Sequence, residues 1–372
     1  MSTVKTNNIL DASGGNTATI NSMTPTADSL QGFRNRLINP DMRIDQRNAG
    51  AAVTLSSSGV FPVDRFQCDE DTDGVMTGQQ STTAPTGFIN SLLITTTTAD
   101  ASLGATQYAA VLQKIEGTNV SDLGWGTANA KTVTLSFWVR SSLTGTFGGA
   151  LANSAWNRSY PFTYSISAAN TWEQKSITIA GDTSGTWLTT TGIGLRLVFG
   201  LGVGSTYSGT ANAWAGSTLF STTGAVSVIG TLNATWYITG VQLEVGSVAT
   251  PFERRDYGRE LIMCQRYYQQ VGQTNNTAFQ PYANGFVSSS TRASIIYNFP
   301  VTMRSAPTFT FNGATNTYLS AAVSVTAVNI DIASVYNVMY NADVASGLTT
   351  GNATRHYQNS TNASSITLSS EL

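Results

Sequence analysis

Side chains able to do acid–base, nucleophilic or metal chemistry are scarce in this chain. His356 is the only histidine among 372 residues and sits in a stretch rich in Thr, Asn and Ser. One imidazole cannot build a multi-histidine metal site, and a Ser-His-Asp triad would have to converge on this C-terminal region. No Gly-x-Ser-x-Gly elbow or His-Glu-x-x-His helix occurs. Gly200, Gly202 and Gly204 follow a strand pattern but lead into a Ser/Thr/Gly stretch instead of a helix. A β-turn region is therefore expected there, not a phosphate cradle. Cys68 and Cys264 lie far apart and have neither disulfide-framework nor metal-ligand spacing, so both read as small buried hydrophobes. No cofactor is implied.

Two groups of residues remain. Asp69, Asp71 and Asp73, followed by Gly74, match the first half of a calcium loop. Gln80 stands where a closing Glu belongs, and no helical pattern flanks the run. A structural cation thus competes with an exposed hairpin turning at Thr72-Asp-Gly74. Trp125, Trp156 and Trp214 sit in polar, small-residue contexts, where an open indole face beside amides and hydroxyls could stack on a sugar ring. They are the candidate glycan contacts; capping a sheet edge or filling a subunit interface is the competing reading. Glycoside hydrolysis needs two carboxylates facing across a cleft. With only 21 acidic residues, any such pair must come from distant positions, so the expectation is not an enzyme.

The elements that would position these groups are strands. Val133, Leu135, Phe137 and Val139 alternate with Thr132, Thr134, Ser136 and Trp138, the period-2 pattern of a half-buried strand. Ile193–Phe199, Ser176–Ile179 and Trp236–Glu244 behave likewise, with a bulge expected at Gly240. Strands without intervening helices predict an all-β chain: an antiparallel jelly-roll sandwich over residues 50–255 and a smaller C-terminal β-sandwich over 272–372. One linking helix is expected over 256–271, capped by Asp256, with Tyr257, Leu261, Cys264 and Tyr268 on one face. Arg254, Arg255 and Arg259 beside Glu253, Asp256 and Glu260 read as an ion-pair network. Residues 1–49 read as an extended N-terminal segment, poorest in large apolar side chains over 1–36.

Charged residues make up 11% of the chain, under half of the roughly 25% usual in soluble proteins. Nineteen basic against 21 acidic residues give a net charge of -2. That balance excludes a polybasic nucleic-acid binder and an acidic disordered tail. No apolar run is long enough for a membrane-spanning helix, so no membrane insertion is expected. The first residues lack the apolar core of a signal peptide. The expectation is a chain made in a cytosol with the composition of an extracellular β-protein.

Several stretches together resemble tailed-bacteriophage tail fibre or host-attachment proteins. They are Leu37-Ile-Asn-Pro-Asp-Met-Arg-Ile-Asp-Gln-Arg47 with Val63-Asp-Arg-Phe66, and Val241-Gln-Leu-Glu-Val-Gly246 with Ala249-Thr-Pro-Phe-Glu-Arg254. Glu260–Tyr268, Phe299–Pro307, Ile366–Leu372 and the N-terminal Val4-Lys-Thr-Asn-Asn8 complete the set. The resemblance implies a carbohydrate-binding-module-like jelly roll over 50–255 and a virion-surface protein made in the bacterial host cytoplasm. It implies anchoring to other virion proteins through residues 1–36, attachment to a host-surface glycan, and a homotrimer. Tyr257, Leu261, Met263, Tyr267 and Tyr268 are the candidate contacts between copies. A head-surface fibre or decoration protein without an essential receptor role, or a glycan-degrading tail spike, are the alternatives.

Overall fold

The computed structural model describes residues 33–273, 281–312, 315–318, 322–358 and 364–372. It divides into two compact units, Met1–Arg255 and Asp256–Leu372. The first 32 residues, which hold most of the expected anchor, lie outside the described residues.

The first unit runs through β1 (Val53–Thr54), β2 (Val60–Val63), β3 (Phe66–Asp71), β4 (Val75–Ser81), β5 (Ser91–Thr98), β6 (Tyr108–Glu116) and β7 (Val133–Ser141). It continues with β8 (Gly145–Ala152), β9 (Ser159–Ile166), β10 (Glu173–Ile179), β11 (Ile193–Val203), β12 (Ser208–Gly209), β13 (Ser221–Thr222) and β14 (Thr235–Val245). Two six-stranded sheets result, in the orders β1-β4-β5-β14-β7-β10 and β2-β3-β6-β11-β8-β9. The chain crosses repeatedly between the sheets, from β3 to β4, β5 to β6, β6 to β7, β7 to β8 and β9 to β10, which makes this an antiparallel jelly roll.

The core lies between the sheets. Phe137, Phe147, Phe162, Tyr164, Phe199 and Trp236 are buried there. The Trp236 indole N–H donates to the Tyr164 hydroxyl at 3.1 Å, which joins β14 of one sheet to β9 of the other. Within β14, Trp236 and Ile238 face the core at even positions and Val241 and Leu243 at odd ones. The bulge at Gly240, where φ is +60°, changes the phase so that both apolar pairs face inward. Gly200 and Gly202 also form a bulge, inside β11. The strand runs through both, beyond the Phe199 end expected from sequence.

The second unit begins with α1 (Tyr257–Gln265), whose N-cap Asp256 accepts the Arg259 N–H at 2.9 Å. The helix is shorter than the expected 256–271, because the chain turns at Arg266 and Tyr268–Gln273 becomes a strand, β15. Then follow β16 (Pro281–Ser289), β17 (Arg292–Asn298), β18 (Thr308–Asn312), β19 (Thr315–Tyr318), β20 (Ala322–Ala333), β21 (Asn337–Val344), β22 (Ala353–Gln358) and β23 (Ser364–Ser369). Six of them close a barrel in the order β16-β17-β21-β20-β19-β22, and β15-β23-β18 form a three-stranded sheet. Ile366 and Leu368 of that sheet share one core with Val287, Ile295 and Tyr340 of the barrel. The C-terminal β-domain is thus a closed six-stranded barrel that shares its core with a three-stranded sheet. Among the described residues no helix is long and apolar enough to cross a membrane.

Candidate functional site

The stretches that carry the phage resemblance around Leu37 and Val241 meet in space. Residues 33–49 are not a free extension. Asn35, Leu37, Asn39, Met42 and Ile44 are buried against the sandwich. The Asn35 side chain donates to the Val241 carbonyl at 2.9 Å and accepts from the Leu37 and Leu243 N–H groups at 3.1 Å each. Arg255 donates through Nη1 to the Leu37 carbonyl at 2.9 Å and through Nη2 to the Asn35 carbonyl. Asn39 donates to the carbonyls of Ile44 and Asp64 and accepts the Ile44 N–H. These polar residues therefore spend their hydrogen bonds on backbone and close the sandwich base. Only Arg255 of the expected ion-pair network bonds Glu253 among residues 253–255, while Arg254 lies over the rings of Phe88 and Phe252.

The aspartate run is a corner, not a hairpin: β3 and β4, on either side of it, belong to different sheets. Asp69 accepts from Gln67 Nε2 at 2.7 Å, and burial raises its pKa above the ordinary carboxylate value. Asp71 is exposed, and the Asp73 N–H donates to Asp100. Among the described residues no three His, Cys, Asp or Glu side chains converge on a metal position. Cys68 and Cys264 are buried thiols outside any disulfide, and burial, with Asp69 second, pushes the Cys68 thiol up.

The three tryptophans separate into two groups. Trp125 and Trp214 meet with Trp187 in a mutual edge-to-face triad, with ring centroids 4.8, 5.4 and 5.5 Å apart. Tyr160 extends it at 5.2 Å from Trp214. The backbone fixes each indole N–H: Trp125 donates to the Lys131 carbonyl at 2.8 Å, Trp187 to Ser184 at 3.1 Å and Trp214 to Ala180 at 2.9 Å. Arg158 supports the group from the side, bound by both Asp182 oxygens at 2.7 Å. Trp156 sits elsewhere, edge-on to Phe220 at 4.7 Å and under the Arg196 guanidinium at 4.6 Å. Burial among carbonyls and rings lowers the Arg196 pKa to about 10.

Beside the triad is a cleft of about 280 Å³, lined by Val120, Ser121, Leu123, Trp125, Trp187 and Leu188, among others. It forms where the β6–β7 connection meets the β10–β11 connection. Trp125 is only 7% exposed, whereas Trp187 is half-buried and lines the same cleft. Ser121, Thr127 and Thr189 also line it, and no acidic residue does. A neutral site lined by tryptophan, serine and threonine suits a sugar ring and lacks the carboxylate pair of glycoside hydrolysis. Trp187 was not among the sequence candidates, although Ser184-Gly-Thr-Trp187 offers the same polar, glycine-bearing context.

Of the residues expected at a contact between copies, Tyr267 and Tyr268 are buried inside the second unit, since the turn after α1 points both rings inward. Leu261 and Met263 are half-buried, and Tyr257 is 57% exposed. His356 lies inside the barrel with no exposed surface. Its Nδ1 is 2.9 Å from the Tyr340 hydroxyl, and Tyr282 packs edge-on at 5.3 Å.

No known family model matches the chain, and no curated protein does. Solved structures align with about half of it. The enzymatically active domain of bacteriophage CBA120 tailspike protein 4 is 10% identical with a TM-score of 0.31, over 57% of this chain and 21% of that one. The family 11 carbohydrate-binding module from Clostridium thermocellum is 12% identical with a TM-score of 0.27, over 54% and 98%. TmCBM61 in complex with β-1,4-galactotriose is 11% identical with a TM-score of 0.27, over 57% and 99%. At these TM-scores, the strand order gives the fold class and the geometry of the cleft gives its chemistry.

Proposed function

We propose that this protein is a non-enzymatic phage virion fibre or attachment protein that binds a host-surface glycan through the Trp187 cleft of its jelly roll. The observation that carries the reading is the cleft itself, lined by Trp125 and Trp187 with serine and threonine and by no carboxylate. Stacking on a flat aromatic face is worth about 1–3 kcal/mol, by analogy with base stacking. Replacing Trp187 by Ala should therefore weaken binding to the best neutral glycan on an array by about tenfold to a hundredfold, at a smaller cost in stability than the loss of the fully packed Trp125. Trp125→Ala should instead cost about 3–5 kcal/mol of stability, as expected for a buried tryptophan. No reducing ends should appear when the protein is incubated with that glycan. Equal binding by Trp187→Ala, or sugar release by the wild type, would sink this reading.

Residues 1–32 are proposed to hold the protein on the particle. The boundary is set by Asn35 and Leu37, which belong to the folded sandwich. A chain lacking 1–32 should fold and melt like the full-length protein yet be missing from purified virions. Normal occupancy of the truncated chain would refute the anchor.

A further inference from the structure

The outward face of the sheet containing β7 and β14 bears a second aromatic surface, distinct from the cleft. Phe137, Val139, Trp236 and Ile238 face the core, so alternation turns Trp138, Arg140 and Tyr237 outward. In register, Tyr237 lies opposite Arg140 and Thr239 opposite Trp138. All three outward side chains are half-exposed. The Arg140 guanidinium sits 4.9 Å from the centre of the Tyr237 ring, and its Nε donates to the Asn170 carbonyl at 2.8 Å. Trp172 meets Tyr237 edge-on at 6.0 Å.

Beyond Trp138 the face continues to Phe88 and Phe252, whose rings are 5.1 Å apart. Arg254 lies over both, 5.0 Å and 5.7 Å from their centres. Gly240 allows this approach: a Cβ there would stand 2.6 Å from Phe88 Cζ and 3.2 Å from Trp138 Cδ1. The bulge that rephases β14 inside thus also seats two rings outside.

Arginines elsewhere in this unit are mostly matched with acids: Arg36 with Asp122, Arg47 with Asp64, Arg158 with Asp182 and Arg255 with Glu253. Among the described residues neither Arg140 nor Arg254 has a carboxylate partner. Each is steadied by an aromatic face, and such a guanidinium can take a carboxylate or phosphate bidentately with little ordering cost. Rings interleaved with two unmatched cations complement a chain whose flat, CH-rich faces alternate with acidic groups.

We propose that this face binds an acidic saccharide, with Arg140 and Arg254 taking its anionic groups and Trp138 and Tyr237 its sugar rings. The proposal rests on the attachment reading for its ligand class but not on the cleft. The test is titration calorimetry of the full-length protein against polygalacturonate, its fully methyl-esterified form, and polyglutamate. Polygalacturonate should bind and weaken with salt, while the neutral ester and the ring-free polyanion should bind at least about tenfold more weakly. Arg140→Gln and Arg254→Gln should each lower polygalacturonate affinity by about tenfold without shifting the melting temperature. Trp187→Ala should leave it unchanged, so failure of the cleft and failure of this face give different results. Absent binding to polygalacturonate overturns the proposal, as does equal binding of the ester or of polyglutamate, or wild-type affinity in both arginine variants.

Discussion

Replacing Asn35 by Ala should destabilise the first unit by about 3–5 kcal/mol, a large share of the 5–15 kcal/mol that holds a typical domain. The side chain is fully buried and serves three backbone groups, the N–H groups of Leu37 and Leu243 and the carbonyl of Val241. Alanine would leave all three without that partner, at about 1–3 kcal/mol for each buried group, less whatever water recovers. The midpoint of thermal unfolding should fall by roughly 10 °C for a unit of this size. Calorimetry would measure it. A loss under 1 kcal/mol would mean that the segment 33–49 is only draped on the sandwich.

The second large effect is acid lability of the C-terminal barrel. Burial lowers the His356 pKa from 6.5 to about 3, so the folded barrel keeps this imidazole neutral. A neutral imidazole satisfies the 2.9 Å bond between Nδ1 and the Tyr340 hydroxyl in either tautomer, so no charge is needed inside. The unfolded chain takes up a proton near pH 6.5 and the folded one does not. Stability is therefore complete above that pH and falls by about 1.4 kcal/mol per unit as pH drops toward 3. At pH 4 the loss should be about 3 kcal/mol. Asp343 is held below the ordinary carboxylate value, first by its hydrogen bond from Arg292, so its own contribution enters only at the acid end of this window. His356→Gln keeps an acceptor for Tyr340 but does not titrate. Denaturant unfolding of this variant between pH 7 and 4.5 should lose the one-proton slope that the wild type shows. An identical slope in both would assign the acid sensitivity to other groups.

Much of the fold was legible because strand alternation is a local property. Residues 133–139 announced which side chains face the core, and Gly240 announced a bulge, since only a phase change reconciles Trp236 and Ile238 with Val241 and Leu243. The candidate binding surfaces were less legible. Trp125, Trp156 and Trp214 were marked by polar neighbours, yet exposure depends on which loop crosses which, and the triad leaves Trp125 buried and Trp187 half-buried. Trp138 could have been marked, because alternation already set it opposite Phe137 on the outward face. The helix ran long in the sequence reading because Tyr267 and Tyr268 fit a helical stripe as readily as a turn entering β15. Barrel closure left no sequence trace, since it depends on pairing between β16 and β22, some 70 positions apart.

The contacts of Arg255 with Leu37 and Asn35 have a mechanical meaning. The chain enters the described part of the first unit at residue 33 and leaves it at 255, and at those two places it is clasped to itself. A pull between the two ends would load this clasp, and the segment bonded to Val241 and Leu243, before it reached the strands of the sandwich. Tension would pass along a short path at the base, and the sandwich would hang beside it unstretched. The cleft and the outer aromatic face, the two proposed binding surfaces, would keep their shape under that load until Arg255 lets go.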